Sequence, residues 1–277
     1  MAINQLNEDE QLHAENDFLK MKLMLERGAN FASIDDEKEL PPEVENEFLK
    51  HIEEFERQWD AHKRIKVFDK IQRPTHFLPS ASIPDDQVEK SWEELSAYMR
   101  EHGVHLDACS PNVSKRELYR FATEELFEYE MDDINMPGMM SGFIYDEFYP
   151  DIVYDNTVIA TDHCMRFIFR TEPMEWMHYF KCEGLQFNRH ASLTNNELKA
   201  IINRFKLAYD EITLESLENT ACVLQDTHCE VTGNYEVRAM LNNNVFRLSG
   251  QWHVFLEKDT DTDYWCIHRL QISGINF

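Results

Sequence analysis

Along the C-terminal part of the chain, the spacing of apolar residues changes from a helical period of about 3.6 residues to a period of two. A helix is predicted to begin at Thr194, because Glu197 completes a capping box with it and apolar residues follow at helical spacing. After Glu215, apolar and polar residues alternate, as in half-buried strands. The apolar positions of this alternation are Tyr235, Val237, Ala239, Trp252, Val254, Leu256, Trp265 and Ile267.

Short polar segments separate these predicted strands. Turns are predicted at Thr232-Gly233, at Asn242-Asn243-Asn244 and between Asp259 and Asp263, because these residue types favour tight turns. Connections this short cannot hold crossovers, so neighbouring strands are predicted to run antiparallel. The pattern therefore predicts a helix lying against a curved antiparallel sheet.

The N-terminal part of the chain is predicted to be helical. A helix from Asp9 to Arg27 carries two apolar stripes, and a second helix opens at Pro41-Pro42. The segments 15–20 and 45–50 have nearly the same sequence, and we interpret them as two similar helices in a hairpin. A helix with two apolar stripes packs against two neighbours, or against one neighbour and a second subunit.

Three further helices, three strands and a domain boundary complete the prediction. One helix carries Val88, Trp92, Leu95 and Met99 on a single face. Gly103 and Pro111 then break the pattern, so the domains are predicted to be 1–113 and 114–277. The other elements predicted are a helix from Ser114 to Tyr129 with a Ser114–Glu117 capping box, a short helix over Gly142–Tyr149, and strands over Ile152–Ala160, His163–Arg170 and Met177–Phe187.

Two segments resemble a known superfamily. Residues 143–154 read Phe-Ile-Tyr-Asp-Glu-Phe-Tyr-Pro-Asp-Ile-Val-Tyr and resemble the passage from the second helix into the first strand of NTF2-like (SnoaL-like) proteins. Tyr264-Trp265-Cys266-Ile267-His268 resembles the closing strand of the same proteins. The resemblance covers residues 114–277 and implies an α+β fold, a cone of helices over a curved antiparallel sheet. The helical N-terminal region is then expected to pack on this cone.

Charge and composition exclude several partners. The chain has 277 residues, a formal net charge of -25 and no basic segment, so neither nucleic acid nor an anionic membrane is an expected partner. It contains no apolar run long enough to span a bilayer, and its start lacks the features of a secretory leader. Six dispersed cysteines fit a reducing compartment, so a cytoplasmic location is predicted. Five of them are predicted to be packing thiols in strands: Cys164, Cys182, Cys222, Cys229 and Cys266.

Five residues are candidates for a ligand pocket. Proton abstraction next to a carbonyl requires a base and a neutral hydrogen-bond donor in one apolar cavity. If the last two strands are neighbours, His253 and His268 would face one such cavity together with Asp155. The alternative is that the two histidines lie on the solvent face or form hydrogen bonds within the sheet. The candidates are Tyr145, Tyr154, Asp155, His253 and His268.

Other polar clusters are interpreted as structural. His102, His105, Asp107 and Cys109 are zinc-type ligands, but no second ligand pair follows at zinc spacing, so no metal site is predicted. The acidic turn at 259–263 lacks the glycine and distal glutamate of a calcium loop. The chain also lacks a glycine-rich phosphate loop, so no cofactor is expected. Six acids between 124 and 133 are predicted to be solvated or to attract a basic partner.

Two classes of function stay open, since the NTF2-like superfamily contains isomerases, dehydratases and cyclases as well as inert binding domains. The leading hypothesis is a non-catalytic ligand-binding or protein-assembly module, because 18 Phe and 12 Met are enough to fill the cone. The alternative is a cofactor-independent isomerase, dehydratase or cyclase that acts on a hydrophobic carbonyl compound in an open pocket. A homodimer, a small apolar ligand or a protein partner is expected.

Overall fold

The computed structural model describes residues 8–31, 40–175, 177–260 and 262–277, and the chain is α+β. It forms two compact units, one up to Tyr145 and one from Asp146 to Phe277. This division falls later than the predicted 113/114 boundary. The strand Val104–Asp107 pairs in parallel with the strand Ser141–Ile144, and this pairing holds residues beyond 114 in the first unit.

The first unit is mainly helical. Strand β1 pairs antiparallel with β3, and β2 pairs parallel with β4. Its elements are α1 (Glu8–Arg27), α2 (Pro42–Ala61), β1 (Arg64–Lys66), α3 (Val67–Lys70), α4 (Val88–Glu101), β2 (Val104–Asp107), α5 (Lys115–Glu124), β3 (Glu130–Asp132) and β4 (Ser141–Ile144).

Two helix predictions in this unit are wrong in part. The helix that starts after Ser114 ends at Glu124, and a 3-10 turn follows at Leu126–Glu128. Ser114 Oγ accepts a hydrogen bond from the Glu117 amide, but the Glu117 carboxylate accepts from Arg120 and Tyr145 instead of completing the capping box. The segment Gly142–Tyr149 is extended as far as Ile144, where pairing with β2 satisfies its backbone. It is helical only over Tyr145–Phe148, which we call α6.

Helices α1 and α2 run parallel, so the predicted hairpin is wrong. Partner residues lie about thirty positions apart along the whole pair. Asn46 Nδ2 donates to Asn16 Oδ1 at 2.8 Å, and Arg27 Nη1 donates to Asp60 Oδ1 at 3.0 Å near the other end. In a hairpin the separation between partners would shrink steadily toward the connection. The repeated sequence showed that the helices are alike, and it carried no information on their direction.

The repeated segment has the pairing of a parallel two-stranded coiled coil. A buried asparagine pair fixes the register of such a structure, and charged residues beside the seam fix its orientation. Asn16 and Asn46 are 1% and 6% exposed, and the next apolar layer is also buried. The facing residues are Asn16 with Asn46, Leu19 with Leu49, Lys50 with Glu15 at 3.0 Å, and Lys20 with Glu45 at 2.5 Å.

A cysteine pair tests the parallel direction. In a chain with the exposed Cys109 and Cys182 changed to serine, Asn16→Cys with Asn46→Cys is expected to form an intramolecular disulfide on mild oxidation. The link is detected by peptide mapping under non-reducing conditions. The control is Leu23→Cys with Asn46→Cys, which an antiparallel hairpin would bring together. Efficient cross-linking of this control, with none of the first pair, would contradict the parallel arrangement.

The second unit places three helices and a mixed sheet of six strands around one apolar core. The strand order is β6-β5-β10-β9-β8-β7, in which β5 is parallel to β10 and the long strands are antiparallel as predicted. Its elements are α7 (Ile152–Ala160), α8 (Arg166–Ile168), β5 (Leu185–Phe187), β6 (His190–Leu193), α9 (Asn195–Lys206), β7 (Glu211–Gln225), β8 (His228–Leu241), β9 (Asn244–Lys258) and β10 (Trp265–Ile272).

The strands predicted over 152–170 are wrong. This region is helical, with one π turn at Thr161–Met165 between α7 and α8. The β-branched residues at its start favour a strand, but Asp151 caps a helix by accepting a hydrogen bond from the Tyr154 amide at 3.0 Å. The buried residues Asn156, Ile159 and Ala160 then follow at helical spacing. The motif at 143–154 therefore does not lead into a first strand.

One other strand prediction was too long, and two of the five cysteines predicted in strands lie outside them. Of the segment 177–187, Leu185–Phe187 is a strand, and Cys182 lies before it in an exposed position. Cys164 lies in the π turn, while Cys222, Cys229 and Cys266 lie in strands as predicted. The Thr194–Glu197 capping box of α9 is confirmed.

Gly233 lies inside β8 and not in a turn. The chain reverses instead after Gln225, where Asp226 has a φ of 49°. Gly233 is required because Trp252 of β9 lies directly against it. A Cβ at Gly233 would lie 1.8 Å from the Glu218 carbonyl oxygen and 2.4 Å from the Trp252 ring. The predicted turn at 242–243 is confirmed, with both asparagines at positive φ.

Replacement of Gly233 tests this close approach. Gly233→Ala is expected to lower the free energy of unfolding by about 3 kcal/mol, because Trp252 and the neighbouring backbone must move. Gly142→Ala is the matched strand control, since a Cβ there meets no atom within 4 Å, and its effect is expected to stay below about 1 kcal/mol. Urea denaturation measures both. Equal effects would show that the Trp252 contact does not constrain the strand.

Candidate functional site

His253 and His268 lie on the outer face of the sheet. On β9, His253 alternates with Trp252 and Val254, which are buried in the core. His253 Nε2 lies 3.2 Å from Oε2 of Glu230 on β8. His268 occupies the β-bulge between Ile267 and Arg269, so it is an extra residue opposite β9.

Phe255 is buried on this same outer face, because polar side chains cover its ring. The His253 ring stacks on it with 3.8 Å between centroids, and the Arg269 guanidinium carbon lies 3.3 Å from the ring centroid. The His268 ring is 6.3 Å away. Burial lowers the pKa of His268, with the nearby Glu257 acting in the opposite sense. The two histidines therefore share one surface cluster with Phe255.

Asp155 and Tyr154 lie on the other side of the sheet. They belong to α7, whose Ile159 and Ala160 enter the apolar core. Burial raises the pKa of Asp155, and the negative charges of Asp146 and Asp151 raise it further. The sheet separates Asp155 from the two histidines, so the structure does not bring the three predicted groups into one pocket.

Tyr145 belongs to the first unit and has a structural role there. Its hydroxyl donates to Glu117 Oε1 at 2.9 Å, and its ring packs edge-on against Phe121. Arg120 holds the same carboxylate, and hydrogen bonding from Arg120 lowers the pKa of Glu117. Tyr145 thus joins α5 to the end of its own unit.

The apolar face of the sheet is covered by the chain's own aromatic side chains. Tyr235 stacks on Phe169 with 4.6 Å between centroids, and Trp252 is 1% exposed. Phe277 packs at 4.7 Å from Phe187 and at 4.8 Å from Phe205. Met165, Met174 and Ile202 are fully buried in the same cluster. The side of the sheet on which a cone pocket was predicted is therefore occupied.

Lys206 is a buried lysine that the sequence analysis did not select. It is 3% exposed, and its Nζ donates to the Phe167 carbonyl at 2.6 Å and to the Glu172 carbonyl at 2.7 Å. Burial, followed by the charge of Arg170, lowers the pKa of Lys206 to about 8. Lys206 follows Ile202 by one helical turn on α9, so the sequence places a charged residue on the apolar stripe of this helix. That position could have identified Lys206 as a buried lysine.

Asn156, Cys222 and Cys229 form a second group that sequence reasoning missed. Asn156 is fully buried on α7, and neither atom of its amide has a partner within hydrogen-bond distance. The Cys222 and Cys229 sulfurs are 3.5 Å apart. The helical spacing of Asn156 with Ile159 and Ala160 would have shown it on the apolar face, had the segment been recognised as a helix.

The zinc-type residues of the first unit serve local contacts. His102 Nδ1 lies 2.8 Å from the Tyr98 carbonyl oxygen, and His105 Nε2 lies 2.5 Å from Asp107 Oδ2. Across the described ranges, no group of three or more His, Cys, Asp and Glu side chains is placed to hold a metal ion. His102 also lines a polar cleft of about 570 Å³ beside Lys70 and Asp133.

The acidic run at 124–133 is matched by groups of its own unit. Each acid accepts a hydrogen bond or contacts a basic side chain of the same unit. The pairs are Glu124 with the Ser80 amide, Glu125 with Arg120, Glu128 with Lys66, Glu130 with Arg64, Asp132 with His62 and Asp133 with Lys70. In the parts of the chain that the structure describes, no helix is long and apolar enough to cross a membrane.

Part of this chain is similar to NTF2-like proteins. An NTF2-like superfamily protein from Salmonella enterica serovar Typhimurium is 13% identical, over 45% of this chain and 92% of that one, with a TM-score of 0.38. A DUF4783 family protein from Bacteroides ovatus is 19% identical, over 44% and 94%, with a TM-score of 0.29. No family model and no curated protein matches the chain.

The titration of Lys206 gives a prediction for stability. Between pH about 8 and 10.5 the folded state holds fewer protons than the unfolded state, so stability rises with pH in this window. Relative to Lys206→Met, the wild-type free energy of unfolding is expected to increase by about 1 kcal/mol from pH 7 to pH 9. Lys206→Arg, which keeps its charge, serves as the control. If the difference in free energy of unfolding between wild type and Lys206→Met does not change from pH 7 to pH 9, the lowered pKa of Lys206 is excluded.

Proposed function

We propose that this protein is a non-catalytic protein-assembly module and that a second copy of the chain binds to α1. The observation that carries the proposal is an exposed apolar face on this helix. Phe18, Met21 and Leu25 are 58%, 53% and 81% exposed. They follow one another at helical spacing, so they form a single stripe.

This stripe is separate from the seam with α2. The seam uses Leu19 and Leu23, which are 6% and 3% exposed. A continuous apolar stripe in water is unfavourable, and such surfaces mark sites of protein association. The chain has a net charge of -25, so the exposed apolar stripe of α1 differs from the charged residues that make up much of its surface.

The pairing of α1 with α2 supports a second copy as the partner. It joins two nearly identical six-residue segments through reciprocal charge pairs, Lys50 with Glu15 and Lys20 with Glu45. The helix surface formed by residues 15–20 is therefore complementary to a segment of nearly the same sequence, residues 45–50. A second copy supplies the same segments, with charges in the same order.

The filled apolar face of the sheet supports a binding role over catalysis. A cofactor-independent isomerase, dehydratase or cyclase requires an open apolar cavity with a base and a donor facing it. Here Trp252, Tyr235 and Phe169 occupy the apolar face, and His253 lies on the opposite one. These positions favour assembly. A cytoplasmic location and the packing of the N-terminal helices on the sheet domain stay predictions.

Oligomeric state tests the proposal. The wild-type chain is expected to be a dimer by light scattering, and Leu25→Glu is expected to weaken the dimer at least tenfold, because a carboxylate would be buried at the contact. Leu207→Glu is the matched control, since Leu207 is 84% exposed and lies at the end of α9. A monomeric wild type, or equal loss of the dimer in both variants, would overturn the proposal.

A further inference from the structure

Two cysteines approach each other in the β7–β8 hairpin. The register pairs Cys222 with Val231, and Leu224 with Cys229. The two cysteines are therefore diagonal neighbours on one face of adjacent strands. Their sulfurs are 3.5 Å apart. A disulfide requires about 2.05 Å, so each sulfur needs to move by well under an ångström to close the bond.

We propose that Cys222 and Cys229 are a redox modification site, at which a peroxide converts the two thiols into a reversible disulfide. This differs from the packing role that the sequence predicts for both residues. The proposal is independent of self-association through α1, since both cysteines belong to the second unit.

The two thiols differ in accessibility, which assigns them different roles. Cys222 is half-buried, and its thiol donates weakly to the Val153 carbonyl oxygen at 3.7 Å. Cys229 is 1% exposed, and burial, with the Cys222 thiol as the next influence, raises its pKa to about 12. A peroxide therefore reaches Cys222 first, and Cys229 acts as the resolving thiol.

Asn156 is placed to assist the resolving step. The Asn156 amide acts to lower the pKa of the Cys229 thiol, against the larger effect of burial, and neither amide atom has a partner within hydrogen-bond distance. A buried amide without a partner costs free energy, so its retention beside a thiol calls for a reason. An N–H group that stabilises the transient Cys229 thiolate supplies one.

The chemistry balances with a peroxide as the oxidant. The Cys222 sulfur attacks the peroxide, an S–O bond forms, the O–O bond breaks, and the thiol proton leaves with the departing oxygen as water or an alcohol. The Cys229 sulfur then attacks the sulfenic acid at Cys222. An S–S bond forms, the S–O bond breaks, and the hydroxide leaves as water with the Cys229 proton. Two electrons pass from the two thiols to the peroxide, and an external dithiol reverses the change by exchange.

Oxidation would alter the edge of the sheet. Strand β7 is an edge strand, and it is held there by its ladder to β8. The disulfide would tie the two strands covalently next to their turn. It would also remove the proton that Cys222 offers to Val153 at the start of α7. Oxidation of the pair would thus change the contacts of both the β7–β8 hairpin and α7.

The experiment treats the reduced full chain with hydrogen peroxide under native conditions and maps disulfides by mass spectrometry of non-reduced peptides. A Cys222–Cys229 link is expected, and a dithiol is expected to remove it. In Cys229→Ser, a dimedone-type reagent should label Cys222 at least tenfold more than in the wild type, because the sulfenic acid has no resolving thiol. Cys266→Ser, a strand cysteine outside the pair, should leave the link unchanged.

Three outcomes would overturn the proposal. The first is that Cys222 and Cys229 stay reduced while the exposed Cys109 and Cys182 become fully oxidised. The second is that the link appears only after denaturation. The third is that Cys222→Ser, which retains the buried thiol, accumulates sulfenic acid on Cys229 as fast as Cys229→Ser does on Cys222. Circular dichroism of each variant confirms that the sheet is folded before oxidation.

Discussion

The contact of Trp252 with the bare backbone at Gly233 sets the register of the long strands. The indole fills the space that any side chain at Gly233 would occupy, and its Nε1 donates to the Asn234 carbonyl at 3.2 Å. In a sheet, a shift of one residue exchanges the two faces of a strand. With Trp252 held inward, Val254 and Leu256 also face the core, and His253 faces outward.

This register decides which side chains lie on each face of the sheet. Aromatic side chains from the strands, the helices and the C-terminus meet on the inner face, where Tyr235, Phe169 and Phe277 pack together with their neighbours. On the outer face, the aromatic ring of Phe255 is covered by the polar side chains of His253 and Arg269. The histidines and the aspartate that the sequence predicted in one pocket are therefore divided between the two faces of the sheet.

The first unit uses a different kind of specificity. Apolar contacts between α1 and α2 would allow either direction of pairing, because leucines pack well in both. The buried Asn16–Asn46 pair removes this freedom, since a shifted or reversed partner would leave an amide without a hydrogen bond. Several acids of the 124–133 run pair with basic side chains of the same unit. Exposed apolar side chains remain on the outer stripe of α1 and at other positions of the unit, such as Phe48 and Leu78.

The sequence by itself determined the features that depend on local interactions. The capping box at Thr194, the helices from 8 to 101, the Asn242-Asn243 turn and the alternation of Trp252, Val254 and Leu256 all rest on contacts within a few residues. The same information predicted an α+β fold for residues 114–277, and the chain is α+β.

Tertiary structure alone decided the rest, because the deciding energies come from partners distant in the chain. Segment 152–168 has strand-forming residues, yet it is helical because its buried side chains meet the core at helical spacing. The direction of α2 depends on Asn46 meeting Asn16, and the role of Gly233 depends on Trp252. The approach of Cys222 to Cys229 depends on strand register. Local sequence patterns do not indicate which distant residues will contact each other.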